Sequence, residues 1–303
     1  MADHGRIAVL MGGVSAEREV SLMSGRAVLA ALHAAGVDAF AFDPAQRSLC
    51  DLRGERVDRA FIALHGRQGE DGTVQGALEM LGIPYTGSGV AASALAMDKM
   101  RTKLVWMAGG IPTPAWEQVG PGTDAIGLSA RLGLPLVIKP AREGSTLGLT
   151  RVQHVDEVAV AYARAAEHDR LVIAEAFVAG REYTAGFVGE EALPLVRIEA
   201  PGGNYDYHSK YFSEETRYHC PCGLPPERER EIQALTLRAA ALLGCEGWGR
   251  ADLIMREDGS LQFLEMNTSP GMTGHSLVPM AAREAGYDFG QLVLRILETA
   301  RAG

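Results

Sequence analysis

The sequence predicts a protein of mixed α/β and α+β architecture, with a parallel sheet in its N-terminal domain. In the first third of the chain, short apolar runs alternate with helical stretches, which is typical of parallel strands joined by covering helices. Residues 181–199 instead keep strand patterning throughout, and a strand, a turn and a strand follow at 249–267. A chain of 303 residues is long enough for two or three domains.

The N-terminal elements each have a local cause. Ser15 can cap a helix that Gly36 ends, because a side-chain oxygen satisfies free amide groups and glycine tolerates a left-handed end. Ligands of parallel sheets lie beyond the carboxyl ends of the strands, so the turn at Gly12-Gly13 and the loop that starts at His65 are expected at a binding site. The predicted strands cover 6–10, 38–42 and 57–64, and the predicted helices cover about 15–36 and 73–82.

The middle of the chain predicts a small α+β domain. A helix of about 98–108 and the extended segment Ile111-Pro-Thr-Pro114 lead into it. Strands are predicted at 136–140, near 150–153 and at 171–177, with a helix at 156–167. We predict three domains, an N-terminal α/β domain over 1–98, a central domain over 99–180 and a C-terminal domain over 181–303.

Residues 201–223 show neither a helical nor a strand period. A loop of this length is usually functional or disordered, and its five tyrosines and phenylalanines favour the functional alternative. We therefore predict a lid loop there. The C-terminal domain is completed by a helix over about 226–243, the hairpin at 249–267 and two helices after Ser276.

The segment from Gly249 to Asn267 predicts an antiparallel hairpin with a two-residue turn at Asp258-Gly259. That turn pairs residues whose numbers add to 517. Because side chains alternate between the faces of a strand, each strand is expected to present three residues to one face. These are Arg250, Asp252 and Ile254 on one strand, and Phe263, Glu265 and Asn267 on the other. The predicted pairs are Arg250 with Asn267, Asp252 with Glu265, Met255 with Gln262 and Glu257 with Ser260.

This register places two carboxylates opposite each other. The Cβ atoms of Asp252 and Glu265 are expected about 5 Å apart, where like charges destabilise a sheet unless a positive group lies between them. Together with Asn267 they form an oxygen ligand set suited to Mg²⁺ bound beside substrate phosphates. A solvent-exposed polar face is the alternative interpretation of the same pattern.

Lys139 ends an apolar strand three residues before the loop Arg142-Glu-Gly-Ser-Thr-Leu-Gly148. Glycines and hydroxyls allow backbone N–H groups to face an anion, and a nearby lysine adds a point charge. The spacing differs from that of a P-loop, so this motif alone leaves an ordinary glycine turn open. Taken with the acidic pair, it favours a nucleoside triphosphate bound with Mg²⁺.

A third motif lies around the end of the predicted strand at 171–177. The edge of an apolar strand can hold a purine through its backbone groups, and a carboxylate a few residues further on can reach ribose hydroxyls. Glutamates beside strands are common on protein surfaces, so this motif does not identify a nucleotide site without the other two.

Composition excludes several classes of partner. A net charge of -9 argues against a general nucleic-acid or membrane-surface binder. There is no apolar run of about 18 residues and no signal-peptide pattern at the start of the sequence. The four cysteines form no CxxC motif and have no paired metal spacing. We therefore expect a cytoplasmic protein that binds small molecules.

A series of longer motifs, in order from residue 7 to about 297, resembles the bacterial D-alanine–D-alanine ligases of the ATP-grasp superfamily. The resemblance implies the ATP-grasp fold, with the nucleotide held between the central and C-terminal domains. The motifs are Met11-Gly-Gly-Val-Ser-Ala-Glu-Arg-Glu-Val-Ser21, His65-Gly-Arg-Gln-Gly-Glu-Asp-Gly-Thr73, Pro84-Tyr-Thr-Gly-Ser88, Met97-Asp-Lys99, Lys139-Pro-Ala-Arg-Glu-Gly-Ser145, Gly247-Trp-Gly-Arg-Ala-Asp252, Glu265-Met-Asn-Thr-Ser-Pro-Gly-Met-Thr273 and His275-Ser-Leu-Val-Pro279.

The resemblance also implies how ATP and metal are bound. The residues implied for the ATP phosphates are Lys99, Lys139 and the loop at Ser145. Those implied for adenine and ribose are Glu175, the backbone of Ala176, Phe177 and Val178, and Glu182. Two Mg²⁺ ions, for which Mn²⁺ can substitute, are implied at Asp252, Glu265 and Asn267, with Glu265 bridging them.

For the reacting groups, the resemblance implies catalytic roles for eight residues. Glu17 is implied to take the ammonium of the first D-alanine, supported by Ser145 and Tyr211, with His65 nearby. Ser276 is implied to serve the carboxylate of the second substrate and Lys210 the transferring phosphate. Arg250 and the Gly271 backbone N–H are implied to form the oxyanion hole.

The implied reaction joins two D-alanines through a D-alanyl phosphate for peptidoglycan synthesis, in a homodimer. Related D-alanine–D-serine and D-alanine–D-lactate ligases are the nearest alternative, and Tyr211 argues against D-lactate because the resemblance associates phenylalanine there with ester-forming enzymes. A dinucleotide-dependent oxidoreductase would need GxGxxG after the first strand, which is missing. The presence of both acids, Asn267 and Arg250 weighs against a nucleotide-binding regulator without turnover.

Overall fold

The computed structural model describes residues 4–144, 146–200 and 216–302. Within those ranges, the strands form one parallel and two antiparallel sheets. None of the helices described there is long and apolar enough to cross a membrane. The predicted mixture of α/β and α+β structure is confirmed, and the three sheets follow one another along the chain.

The N-terminal sheet is parallel, as predicted. Its central strand β1 (Ile7–Leu10) lies between β2 (Ala39–Phe42) and β3 (Arg59–Ile62). All of β1 is buried, because α1 (Arg18–Ala34) covers one face and α2 (Thr73–Leu81) covers the other. Burial on both faces explains why the strand is a continuous apolar run.

Two further helices lead out of this sheet. They are α3 (Val90–Met97) and α4 (Lys99–Ala108), and Asp98 caps α4 by accepting the N–H of Arg101. Helix α4 was predicted, but α3 was not. The side chains of α3 and α4 pack against the C-terminal sheet, where Ala92, Ala96 and Trp106 belong to the same apolar cluster as Phe263.

The central sheet is antiparallel and has the order β4-β7-β5-β6. Its elements are β4 (Trp116–Val119), α5 (Ala125–Leu132), β5 (Leu136–Pro140), β6 (Thr150–Val152), α6 (Val158–Ala166) and β7 (Val172–Ala176). Strand β7 pairs with β4 on one side and β5 on the other. The expectation of a free strand edge for a purine is therefore wrong for β7 itself, and only the chain beyond its end, at 177 and 178, can serve that purpose.

The C-terminal sheet has the order β11-β10-β8-β12-β13, with β9 paired to β8. Its strands are β8 (Arg181–Val188), β9 (Glu191–Ala192), β10 (Val196–Glu199), β11 (Arg217–His219), β12 (Trp248–Met255) and β13 (Leu261–Asn267). Its helices are α7 (Pro226–Leu243), α8 (Leu277–Glu284) and α9 (Phe289–Glu298). Strand β11 lies inside the segment predicted as a lid loop, so that prediction is wrong for 217–219, and residues 201–215 lie outside the described chain.

The hairpin register is right at the acidic pair and wrong beyond it. Arg250 pairs with Asn267 and Asp252 with Glu265, as predicted, but Leu253 pairs with Phe263. The shift is a β-bulge, in which β13 has one more residue than β12. Phe263 is consequently buried in the apolar cluster instead of sharing the face of Glu265.

The turn of the hairpin also differs from the prediction. The N–H of Arg256 donates to the carbonyl of Ser260 at 2.9 Å, and Gly259 has φ +81°. Three residues thus connect the paired ends, with the glycine in the left-handed region that this loop length requires. The extra loop residue and the bulge in β13 offset each other, which restores the predicted pairing at the acidic residues.

The start of α1 needs a smaller correction. Its N-cap residue is Glu17, and Ser15 does not cap the helix. The Ser15 hydroxyl accepts the N–H of Glu17 at 3.2 Å and donates to the carbonyl of His65 at 2.7 Å. Ser15 therefore ties the start of α1 to the loop after β3.

Candidate active site

The main cleft lies between the central and C-terminal sheets. Its described walls come from β5, β7 and loop residues 143, 144, 146, 147 and 149 on one side, and from β8, β12 and β13 on the other. Lys99 of helix α4 also lines the cleft. The predicted site residues that line it are Lys99, Lys139, Glu175, Ala176, Phe177, Val178, Glu182, Asp252 and Glu265.

A smaller pocket adjoins this cleft. It shares Lys99, Gly144 and Glu265 with the cleft, and it adds Glu17, Arg250 and Asn267 from the predicted set. Thr268 also lines it. The two cavities therefore meet where the lysine of α4 faces the carboxylate of β13.

Asp252 is held by three donors. Arg250 donates Nε to Oδ1 and Nη2 to Oδ2, both at 2.8 Å, in a bidentate pair. Thr184 donates its hydroxyl to Oδ1 at 2.7 Å, and Asn267 donates Nδ2 to Oδ2 at 3.2 Å. With only 4% of Asp252 exposed, this carboxylate is fixed before any ligand arrives.

Glu265 is neutralised by a different cation. Lys99 Nζ lies 3.0 Å from Glu265 Oε2 and donates to the Glu143 carbonyl at 2.7 Å. Burial opposes the charge of Lys99, but Glu265 and, to a smaller extent, Glu175 and Glu17 raise its pKa above the ordinary value. The sequence predicts a positive group between the two carboxylates, and in this structure Arg250 and Lys99 supply that charge.

The ligand set of the predicted metal site is assembled by the hairpin. Asp252, Glu265 and Asn267 occupy neighbouring positions on β12 and β13, and their donors are two carboxylates and one amide. Oxygen donors of this kind suit Mg²⁺, which leaves other positions to waters and phosphates. Among the described residues, no three His, Cys, Asp or Glu side chains are grouped so that they could hold a metal ion. The predicted set consists of two carboxylates and the amide of Asn267.

Glu175 joins two lysines on the wall of the cleft. Lys139 Nζ lies 2.7 Å from Oε2, and Lys103 Nζ lies 3.1 Å from Oε1. Burial disfavours the ionised carboxyl, but Lys139 and Lys103 outweigh it and lower the pKa of Glu175. The sequence analysis did not identify Lys103, although it lies four residues after Lys99 on α4.

Glu70 is the second residue that the sequence analysis missed. It lines the smaller pocket with Glu17, and its carboxylate accepts the N–H of Gly66 at 2.7 Å and of Ser269 at 3.1 Å. Burial and the neighbouring Glu17 raise the pKa of Glu70 to about 8. Glu70 lies in the His65–Thr73 motif, so its acidic side chain beside the predicted strand end was a usable signal.

His65 uses both ring nitrogens to connect segments of the chain. Nδ1 lies 2.9 Å from the carbonyl of Ser269, and Nε2 lies 3.0 Å from the Ser24 hydroxyl. A carbonyl only accepts, so Nδ1 carries the proton and Nε2 accepts from Ser24. Burial lowers the pKa of His65, which is consistent with this neutral form.

Gly271 and Ser276 lie next to each other before α8. A Cβ atom on Gly271 would lie 2.8 Å from Ser276 Oγ, so any larger residue would have to displace that hydroxyl. Ser276 is the N-cap residue of α8 without capping it, because its hydroxyl accepts the N–H of Thr273 at 2.9 Å. The N–H of Met272 donates to Ser24, the same hydroxyl that meets His65. Ser145, Lys210 and Tyr211 lie outside the described residues.

Two family models match this chain. The model described as D-ala D-ala ligase N-terminus matches residues 41–88, and the one described as D-ala D-ala ligase C-terminus matches residues 105–298. Among curated proteins, the D-alanine–D-alanine ligase of Aromatoleum aromaticum is 62% identical over 302 residues, covering 100% of this chain and 98% of the relative. That of an Azoarcus species is 61% identical, covering 99% and 98%.

Solved structures of ligases are also similar to this chain. The D-alanine–D-alanine ligase of Bacillus anthracis is 35% identical, with a TM-score of 0.86 over 97% of this chain and 96% of that one. A structure of the Bacillus anthracis ligase complexed with ATP has a TM-score of 0.85 at 33% identity, with the same coverage. VanG D-Ala:D-Ser ligase from Enterococcus faecalis is 30% identical, with a TM-score of 0.86 over 97% and 98% of the two chains.

Proposed function

The chain belongs to the D-alanine–D-alanine ligase family and has the ATP-grasp fold, and we propose that the cleft between its two antiparallel sheets carries out the ATP-dependent ligation of two D-alanines. The protein is a D-alanyl-D-alanine-forming ligase that uses ATP and serves peptidoglycan synthesis. The steps of this reaction are proposed to be divided between the cleft and the smaller pocket.

One observation carries the assignment. The cleft and the smaller pocket meet at Lys99, Gly144 and Glu265, so a nucleotide in the cleft would present its phosphates to a substrate in the pocket. Phosphorylation of a carboxylate requires two anions to approach each other, and lysines lower the repulsion between them. Lys99 and Lys139 are the groups proposed to hold the phosphates, together with the loop at Ser145.

The apolar end of the cleft is proposed to take the base. Glu175, the chain at Ala176, Phe177 and Val178, and Glu182 are the proposed adenine and ribose contacts. Because β7 is paired on both sides, backbone contacts to adenine are proposed after the end of the strand, where Phe177 and Val178 line the cleft.

Asp252, Glu265 and Asn267 are proposed to hold two Mg²⁺ ions, with Mn²⁺ as a substitute and Glu265 shared between them. Bound there, the metal would add positive charge beside the transferring phosphate. Arg250 is the counter-ion of Asp252. Because the pair is bidentate, the guanidinium is held in a fixed position at the border of the two cavities.

The substrate steps are proposed to occur in the smaller pocket. Glu17 would hold the ammonium of the first D-alanine, with Ser145 and Tyr211 in support. Transfer of the γ-phosphate to the carboxylate gives D-alanyl phosphate and ADP. The amine of the second D-alanine then attacks the acyl carbon, and phosphate leaves as the C–N bond is completed.

Arg250 and the backbone N–H of Gly271 are proposed to stabilise the oxyanion of the tetrahedral intermediate, since fixed donors at developing charge lower a barrier. Lys210 would serve the transferring phosphate and Ser276 the carboxylate of the second substrate. His65 is proposed to hold neighbouring segments of the site in place and not to transfer protons, because both of its ring nitrogens contact Ser24 and Ser269.

Phosphate release in the presence of ATP and Mg²⁺ tests the proposal. D-alanine should support turnover and L-alanine should not. Glu265→Gln should abolish turnover because it removes the charge that the metal needs, whereas the exposed Glu227→Gln is a matched control that should keep it. Retained activity in Glu265→Gln would contradict the assignment of the metal ligands.

Three further proposals are made. The homodimer rests on the family alone, the cytoplasmic location on the four cysteines without paired spacing, and the division into 1–98, 99–180 and 181–303 on the order of the predicted elements. Light scattering of the purified protein tests the first. A molar mass near that of one 32.3 kDa chain would contradict it.

A further inference from the structure

Lysine is rare in this chain. Its 29 basic residues comprise 25 arginines and four lysines. Three of the lysines, Lys99, Lys139 and Lys210, are proposed to act on phosphates, and the fourth is Lys103. An ammonium is more compact than a guanidinium and its pKa shifts more readily on burial, so a chain that otherwise uses arginine points to a specific need at this fourth position.

Lys103 lies directly behind the nucleotide cleft. It follows Lys99 by four residues, which places both on the same side of α4. Its side chain is 0% exposed, and it is absent from the described residues that line the cleft. Lys103 Nζ donates to the Thr113 hydroxyl at 2.6 Å and lies 3.1 Å from Glu175 Oε1.

The contacts of Lys103 connect the two sheets that enclose the cleft. The Thr113 hydroxyl donates to the carbonyl of Phe263 at 2.9 Å, which joins Lys103 to β13. Glu175 lies in β7, and its other oxygen meets Lys139 of β5 at 2.7 Å. A single buried ammonium therefore links the wall that carries Glu265 to the wall that carries Lys139.

The net charge of the group formed by Glu175, Lys139 and Lys103 depends on Lys103. Glu175 carries one negative charge, and Lys103 and Lys139 together carry two positive charges. Because the carboxylate is shared, one positive charge remains for an anion in the cleft. Without Lys103, the pair of Glu175 and Lys139 would be neutral, and Lys139 would offer much less attraction to a phosphate.

Stability does not account for a buried lysine here. Burial is the main reason that the pKa of Lys103 is lowered to about 8. Lys139 also lowers it and Glu175 raises it, and the net effect disfavours the charged ammonium. An apolar side chain of similar volume would avoid that desolvation cost.

We propose that Lys103 is a positioning residue of the ATP site, which shares the Glu175 carboxylate with Lys139 and thereby leaves the charge of Lys139 only partly neutralised and available for the phosphates. This inference rests on the proposed nucleotide function of the cleft. It assigns Lys103 no contact with ATP and no part in the chemistry. Its effect should therefore grow with the number of phosphates on the ligand.

Calorimetric binding of adenosine, ADP and ATP to the wild type and to Lys103→Met tests the proposal. Affinity for ATP should fall at least about tenfold, ADP should lose less, and adenosine should stay within about twofold. In steady-state assays the KM for ATP should rise while the KM for D-alanine stays unchanged. Equal losses for adenosine and ATP, or no loss for ATP, would overturn the proposal.

A second pair of variants separates charge from packing. Adding Glu175→Gln to Lys103→Met removes the unshared negative charge, so the affinity for ATP relative to that for adenosine should recover compared with Lys103→Met alone. Adenosine is the reference because Glu175 is also a proposed adenine contact. No recovery would show that charge sharing is not the cause. If Lys103→Met does not fold, Thr113→Val, which removes one partner of the ammonium, decides the matter: a loss selective for ATP supports the proposal and an unselective or absent loss refutes it.

Measurements on the wild type separate a failure of this inference from a failure of the proposed function. If the wild type binds no ATP, the proposed function of the cleft fails before Lys103 is considered. If the wild type binds ATP and makes the dipeptide while Lys103→Met binds all three ligands normally, only the inference about Lys103 fails.

Discussion

Arg250 is tied to Asp252 more closely than its proposed role at the oxyanion requires. Their side chains are 14% and 6% exposed, and the pair is bidentate. A buried carboxylate that loses its cation keeps the desolvation cost without the compensation. We therefore expect the same two hydrogen bonds to stabilise the fold and to hold Arg250 in place for its proposed role at the oxyanion.

Arg250→Met should destabilise the metal-free protein by about 3 kcal/mol, because Asp252 would keep only Thr184 and Asn267 as donors. Urea unfolding in the presence of a chelator measures this change. Arg250→Met combined with Asp252→Asn should recover part of the loss, since no charge is then left unpaired. A double variant no more stable than Arg250→Met would show that the unpaired carboxylate is not the cause of the loss.

Glu70 gives stability a pH dependence with a definite sign. The unfolded chain loses this proton near pH 4.5, whereas the folded protein keeps it until about pH 8, because of burial and Glu17. Between those values the folded state binds more protons, so stability is fully present below pH 4.5 and falls as the pH rises towards 8. Glu70→Gln removes this titration.

The free energy of unfolding of Glu70→Gln should accordingly rise relative to the wild type from pH 5 to pH 8, by up to about 4 kcal/mol. Urea unfolding at four pH values without ligands measures it, with the exposed Glu227→Gln as control. Parallel curves for Glu70→Gln and the wild type would mean that Glu70 does not hold its proton.

Some residues of the candidate site could be predicted from the sequence, and others could be recognised only in the fold. Asp252, Glu265 and Asn267 could be predicted because their spacing on a hairpin brings them together. Lys103 could not, since its significance comes from burial and from Glu175, a partner distant in sequence. Glu70 lies in the His65–Thr73 motif and could have been a candidate, but its burial and its contact with Ser269 come only from the fold.

At the scale of elements, the bulge in β13 shapes the cleft. It allows Leu264 and Glu265, neighbours in sequence, both to line the cavity, while Phe263 stays in the core. An uninterrupted strand would send one of two successive side chains to the other face. The bulge therefore adds an apolar wall beside the acidic ligand set.

Leu264→Ala should weaken ATP binding by about 1 kcal/mol, roughly fivefold, because it removes apolar surface from the cleft without touching the ligand set. Calorimetry with ATP measures this, and the KM for D-alanine should not change. Gln262→Ala, on the same strand but away from the described cleft lining, is the matched control. Equal losses of ATP affinity in the two variants would contradict the proposal that the bulge adds an apolar wall to the cleft.

Elements with a strong local pattern were predicted well, and those defined by their partners were not. Strand β5 matches its predicted bounds because its apolar run ends at Pro140. Helix α3 has small and apolar residues on most sides and hence no clear period, and β4 contains Glu117 and Gln118 and is defined by its pairing with β7. The hairpin turn was wrong by one residue because the compensating bulge has no signal in the sequence.

Across the whole molecule, the proposed site residues come from three parts of the chain, each of which is built around one sheet. Glu17 starts α1 of the N-terminal unit, Lys139 lies near the end of β5 in the central sheet and Asp252 lies in β12 of the C-terminal sheet. Without ligand, the two walls of the cleft are joined through Lys99, whose Nζ contacts Glu265 of β13 and donates to the carbonyl of Glu143 on the central wall. A ligand that touches both walls should therefore stabilise the whole protein.

Heating experiments test this coupling. At about 100 times its Kd, ATP with Mg²⁺ should add about 2.7 kcal/mol and raise Tm by about 4 °C. Lys139→Met should show a much smaller shift at the same ATP concentration, because it removes a proposed phosphate contact from the central wall. The shift, and not Tm itself, is compared, since loss of the pair with Glu175 changes Tm without ligand. An undiminished shift in Lys139→Met would mean that ATP does not bind across both sheets.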